Sequence, residues 1–200
     1  MKKIYKDKLQ NYFNNHIDVI KKTQNAMSSK IHEISSVLSS SFMNGNKLLI
    51  CGNGGSASDS QHIATEFMSA LTHDVRRNAL PAIALTTDTS FLTAHTNDFG
   101  YNEVFSRQVE GLGKKGDVLI GLSTSGKSKN VIKALKTAKA LNMETILLTG
   151  MFNSKNNYAN YILNVQSNST QHIQETHITI AHLIIEIIEI DLGHRKLKGI

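Results

Sequence analysis

A chain of 200 residues with 40% hydrophobic side chains is long and apolar enough for one domain with a real core, and its composition excludes a disordered protein. Its formal charge of +6 is scattered rather than gathered into a basic stripe interleaved with aromatics, so no nucleic-acid partner is expected. No apolar run is long enough to span a bilayer, the first residues lack the apolar segment of a signal peptide, and the single cysteine, Cys51, fits a reducing compartment, so the expectation is a cytoplasmic protein with no membrane partner.

Taken in order, Ile4, Leu9, Phe13, Ile17, Ile20, Met27, Ile31, Ile34, Leu38 and Phe42 fall mostly three or four residues apart. This predicts an amphipathic helix over 4–42 that covers its own sheet or a neighbouring subunit. Ser28-Ser29, Ser35-Ser36 and Ser39-Ser40-Ser41 weaken helix propensity and predict a break near 25–30. Strands are predicted at 47–51, 82–86, 117–122, 145–149 and 161–165, and helices at 58–71, 102–112 and 128–141. A short helix falls within 87–94 and a turn at 95–100. Alternating strands and helices imply an α/β fold, a three-layer parallel sheet flanked by helices. The final segment, 173–191, is so rich in isoleucine that it predicts a long apolar helix buried nearly all round, with His182, Glu186 and Glu189 on one polar side. A monomer of this size can hardly enclose such a helix, so a homo-oligomer is expected. The chain divides into a helical segment (1–44), an α/β core (45–192) and a basic tail (193–200), which together make one domain.

Two loops at strand ends carry chemistry. Cys51-Gly52-Asn53-Gly54-Gly55-Ser56 joins the first strand to a helix, and Ser123-Thr124-Ser125-Gly126-Lys127-Ser128 joins the third strand to another. A glycine-rich turn at a helix N-terminus lets an anion approach backbone N–H groups closely. The serine loop has more hydroxyls than a helix cap requires, which suits a phosphate held without a metal. Together they suggest one phosphorylated ligand held between two loops. Cys51 reads as a small apolar residue ending a buried strand. Gly52, Gly54 and Ala57 also match a loose dinucleotide fingerprint, but its acidic partner would have to be Asp88, which comes late. His62 and Glu66 share one face of the helix leaving the first loop, and Gln174 and His182 lie on the last helix.

These motifs, with Asn97-Asp98-Phe99-Gly100 and Ile173-Gln174-Glu175-x-His177-x-x-x-x-His182, resemble the phosphoheptose isomerases, the sedoheptulose 7-phosphate isomerases of the sugar-isomerase (SIS) fold. The resemblance covers roughly residues 45–190. It implies a flavodoxin-like sheet and a homotetramer with active sites between subunits. The activity implied is interconversion of sedoheptulose 7-phosphate and D-glycero-D-manno-heptose 7-phosphate, the first step toward activated heptose for lipopolysaccharide or capsule. By resemblance Ser123, Thr124, Ser125 and Ser128 hold the phosphate. Asn53, Gly54, Gly55, Ser56, Asn97, Asp98, Glu66 and Gln174 bind the substrate, and one zinc ion per subunit sits on His62, Glu66, Gln174 and His182. An enediol mechanism makes Glu66 the candidate base at carbon and His182 the candidate acid at oxygen.

Two tensions follow. A carboxylate on zinc is a weaker base, so either the metal is structural or Glu66 leaves it when substrate binds. Gln174 and His182 are separated by about 12 Å along a helix; one ion joins them only if both side chains lean inward, the first turn frays, or different chains contribute. His172 and Ala70 depart from the basic residues found in other members. The alternatives are a non-catalytic SIS-fold regulatory module, which Glu66 and His182 argue against, and an isomerase of another phosphosugar.

Overall fold

In the computed structural model, which describes residues 2–151 and 157–196, five short strands form one parallel sheet. They are β1 (Leu48–Cys51), β2 (Ala82–Ala84), β3 (Val118–Leu122), β4 (Glu144–Thr149) and β5 (Tyr161–Asn164), in the spatial order β2-β1-β3-β4-β5. Six helices accompany them: α1 (Lys3–Met43), α2 (Gly55–Met68), α3 (Thr89–Phe99), α4 (Val104–Leu112), α5 (Lys129–Ala140) and α6 (Thr170–Asp191). Registers Leu49↔Leu119 and Leu119↔Thr145 align the strands so that their carboxyl ends emerge along one edge.

The two-residue period of the strands divides the core. Leu48, Ile50, Val118, Ile120, Ile146 and Leu148 face one side, where they join Ile34 and Leu38 of α1, Ile63 and Phe67 of α2, and Ile180, Ile184 and Ile188 of α6. Leu49, Cys51, Leu119 and Leu147 face the other side, against Phe105 and Val109 of α4 and Val131 and Leu135 of α5. Sheet strands with helices on both faces make the three layers expected.

Three local expectations change. The predicted break in α1 does not occur. Ser28, Ser35 and Ser36 turn their hydroxyls back onto the carbonyls of Gln24, Ile31 and His32 (2.6, 2.9 and 3.1 Å), so each serine is accommodated inside the helix. The predicted turn at 95–100 is helical as far as Phe99, because Asp88 caps α3 by accepting the Phe91 N–H at 2.9 Å. That cap is also the use to which Asp88 is put.

Nor is α6 buried all round. It is 22 residues long, but Thr179, Leu183 and Glu186 are exposed, and no described helix is long and apolar enough to cross a membrane. The helix lies against the sheet, α1 and α2 on one side only. Glu189, expected on the polar side, is fully buried. Of the basic tail, residues 193–196 follow α6, and 197–200 lie outside the described residues, as does residue 1 of the N-terminal segment.

Candidate active site

The strand order reverses direction between β1 and β3, and such switch points open a crevice at the carboxyl ends of the strands. The glycine loop leaves β1 on one side of that crevice and the serine loop leaves β3 on the other. Gly54 sits at φ 58°, a backbone conformation that favours glycine, and there the chain turns into α2. Ser56 is buried, and its N–H donates to the Asn53 carbonyl at 3.1 Å.

The two loops are tied side chain to side chain. Asn53 donates to Asn130 Oδ1 at 2.9 Å, and Asn130 donates back to Asn53 Oδ1 at 2.8 Å. Tyr101 donates its hydroxyl to the same Asn53 oxygen at 2.9 Å. The Asn53 oxygen therefore has both lone pairs engaged, and one amide hydrogen remains for a ligand. Asn130, buried in the first turn of α5, and Tyr101 were not singled out in the sequence. An asparagine in a helix and a tyrosine in a connection carry no motif; only the fold brings them to Asn53.

In the serine loop, Ser128 holds the N-cap position of α5 without capping with its side chain. Ser123 donates to its hydroxyl instead, at 2.9 Å, and the Ser125 hydroxyl accepts the Lys127 N–H at 3.2 Å. A cavity of about 270 Å³ opens there, lined by Thr124, Ser125, Lys127, Met151, Asn168, Thr170 and Ile173. Hydroxyls, an amide and one ammonium over an apolar floor suit a phosphate-sized anion. Asn168 and Thr170, at the entry to α6, are further residues that the motifs did not reveal.

One helical turn apart on α2, His62 and Glu66 meet His182 from α6. The ligand atoms of the three lie within 4.8 Å of one another. His62 Nε2 is 3.0 Å from His182 Nε2 and 3.3 Å from Glu66 Oε1. Two imidazole nitrogens so close share at most one proton; with both in the lone-pair form, they and the carboxylate converge on a common cation. The donor set and its spacing therefore fit a divalent metal. The group is open to solvent: the His62 side chain is 47% exposed. Arg77 fixes the turn that carries Glu66, donating to the carbonyls of Glu66 and Phe67 at 2.8 Å each.

Gln174 approaches from the start of α6. A β-carbon on Gly55 would stand 2.5 Å from its Nε2, so only glycine admits this amide against the loop. Gln174 thus faces the glycine loop while His182, two turns on, faces His62. Asn97 and Asp98 lie in the exposed last turn of α3. Among the described residues they hydrogen-bond to each other, at 2.9 Å, and to neither loop. Burial pushes the Cys51 thiol up to about 12, which removes it as a nucleophile. His172 is buried and turned toward α1, away from the serine loop, and Ala70 lies just beyond the end of α2.

Comparison with known proteins agrees with this geometry. A family model of the SIS domain matches residues 11–150. The phosphoheptose isomerase of Aliarcobacter butzleri (strain RM4018) is 49% identical over 180 residues, which span 90% of this chain and 94% of that protein. The structure of a phosphoheptose isomerase from Francisella tularensis superposes with a TM-score of 0.84 at 35% identity, covering 94% of this chain and 98% of its own. That of a phosphoheptose isomerase from Neisseria gonorrhoeae does so with a TM-score of 0.82 at 38% identity, covering 92% and 98%.

Proposed function

The chain belongs to the phosphoheptose isomerases of the SIS-domain family, and from that membership we propose how its residues divide the work. The reaction is an intramolecular aldose–ketose isomerisation that interconverts sedoheptulose 7-phosphate and D-glycero-D-manno-heptose 7-phosphate. The observation that carries the assignment of roles is the convergence of His62, Glu66 and His182 beside the two tied loops.

Ser123, Thr124, Ser125 and Ser128 hold the phosphate, with Lys127, Asn168 and Thr170 completing the pocket. Asn53, Gly54, Gly55, Ser56, Asn97, Asp98 and Gln174 bind the sugar. Moving a hydrogen between C1 and C2 through an enediol needs a base at carbon and an acid at oxygen. Glu66 removes the proton from carbon and returns it to the neighbouring carbon, and His182 protonates and deprotonates the oxygens. His62, Glu66 and His182 would hold one zinc ion per subunit, with Gln174 as a further ligand once it turns from Gly55 or reaches the ion of another subunit. When bound, that ion polarises the substrate carbonyl. Because Oε1 is the Glu66 oxygen directed at His62, Oε2 is the one offered to the substrate.

The protein works as a homotetramer with its sites at subunit interfaces. Ile4, Leu9, Phe13 and Ile17 leave an apolar stripe exposed on α1, and Leu183 does the same on α6. An apolar groove of about 380 Å³ lies between the two helices, away from the chemistry. Each supports a partner surface, and the half-open His62 group supports a site completed there. We infer a single SIS domain in the cytoplasm, supplying heptose for lipopolysaccharide or capsule.

The test is turnover of sedoheptulose 7-phosphate by purified protein, with the product identified by NMR, before and after chelation and zinc add-back. Heptose 7-phosphate formed only with metal is expected. Full activity after verified removal of metal would contradict the zinc assignment, and no product from a folded oligomer would contradict the choice of substrate.

A further inference from the structure

A second group of metal-ligating side chains lies outside the active site, where α1 leaves the body of the molecule. Residues 2–15 are exposed without exception, and His16 is the first that is not. Its Nδ1 stands 3.1 Å from Glu175 Oε2, and His172 Nδ1 stands 3.0 Å from the same oxygen. The ligand atoms of all three residues lie within 4.8 Å of one another. We propose that His16, His172 and Glu175 form a second site for a divalent transition metal of the zinc class, which clamps the projecting half of α1 to the first turns of α6.

Four observations carry this. His172 is accounted for by a hydrogen bond to Glu175, but the buried His16 Nδ1 makes none, although it is within range of the same oxygen. The in-plane direction of that nitrogen therefore points beside the carboxylate oxygen rather than at it. Two imidazoles and one carboxylate are the ligand types zinc takes when it keeps a fourth position open. Tetrahedral zinc needs its ligand atoms about 3.3 Å apart, so the two nitrogen–oxygen separations, 3.1 and 3.0 Å, have to open by only a few tenths of an ångström. Finally, Tyr12 donates to the other Glu175 oxygen at 2.6 Å, which orients the carboxylate as an outer partner of a metal ligand does.

The test counts metal. Wild type, His16→Gln and Glu175→Gln are saturated with Zn²⁺ alone, passed through gel filtration and analysed for zinc per chain, with circular dichroism as a check of folding. The same is done for His62→Gln, which alters only the active-site group. The expectation is two zinc ions per chain in wild type and one in each variant, with the His16→Gln and His62→Gln pair together retaining none. Hydrogen exchange should slow over residues 5–20 when Zn²⁺ is added to wild type and not when it is added to His16→Gln. One zinc in wild type that vanishes in His62→Gln would overturn the proposal and leave the active-site reading standing. Two zinc ions surviving in His16→Gln and in Glu175→Gln would overturn it as well.

Discussion

Helices α2 and α6 build two polar clusters, and the two are opposites. Toward one end, His62, Glu66 and His182 face one another half-open to solvent, with two imidazole nitrogens 3.0 Å apart. Two turns further along α6, Glu189 is fully buried and completely satisfied. Arg77 donates to one of its oxygens at 3.0 Å, Arg195 to the other at 2.9 Å, and the Leu71 N–H adds a third partner. Burial alone would raise the Glu189 carboxyl, but the hydrogen bonds from Arg195 and Arg77 outweigh it and hold the group below the usual carboxylate range. A closed cluster of this kind sets the fold. The open one brings two imidazole nitrogens and a carboxylate within 4.8 Å of one another at the surface, which suits chemistry rather than folding. Arg77 touches both, through its bonds to the backbone carbonyls of Glu66 and Phe67, which do not depend on the Glu189 carboxylate.

Substitutions separate the two clusters. Glu66→Gln keeps the shape and removes the base; it should lower kcat by about 10²–10⁴-fold with melting temperature unchanged, read by the NMR assay and by calorimetry. Glu189→Gln should do the reverse. It leaves the buried Arg77 guanidinium without its carboxylate, and Arg195, which is only partly buried, with the Glu186 carboxylate alone at 3.7 Å, and should cost about 3–5 kcal/mol in denaturant unfolding, while kcat stays within a few-fold of wild type at a temperature where the variant is folded. Equal loss of activity in both would erase the distinction.

His177, on the same helix ahead of both clusters, sharpens it further. Burial pushes its pKa down to about 4, and its closest acceptor is the Thr149 carbonyl at 3.4 Å. The unfolded chain, with an ordinary value near 6.5, binds the proton first, so stability falls as pH drops from about 6.5 to 4 and by about 3 kcal/mol in all. His177→Gln should flatten that part of the stability curve in urea titrations. A wild-type curve already flat across the window would show that His177 is not held neutral. The smallest effect belongs to the loop tie. Asn130→Ala removes about 1 kcal/mol of bridging to Asn53, which should raise KM several-fold and leave the melting temperature within a few degrees. A KM unchanged from wild type would mean that the Asn53–Asn130 tie does not position the substrate.

The same contrast explains what the sequence made legible. Short apolar runs, the 3.6-residue period of the helices between them and two loops dense in glycine and serine fix the layers and the crevice, because each is a local pattern. His62 and Glu66 are legible as a pair because they lie one turn apart. Glu189 was not: on a helical wheel it sits with polar residues, and only the arrival of Arg77 from the connection after α2 makes its burial tolerable. Asn130 and Tyr101 stayed hidden for the same reason, since their partner Asn53 is distant in sequence. The extent of α1 is legible in its apolar spacing, but not its continuity, because serine propensity takes no account of the back-bonds to Gln24, Ile31 and His32. The difficulty over Gln174 and His182 is made sharper by the fold, because Gln174 lies against Gly55 and His182 against His62, so one ion joins them only if Gln174 turns from the loop or different chains contribute.

The most direct test of the open cluster as the catalytic one is the reaction run in deuterium oxide. Wild type should deliver deuterium to C2 of the heptose 7-phosphate product, the Glu66→Gln variant should yield neither product nor exchange of the C1 hydrogen of the ketose, and Glu189→Gln, kept cold enough to remain folded, should label like wild type. Product formation or labelling by Glu66→Gln at the wild-type rate would contradict proton transfer by Glu66.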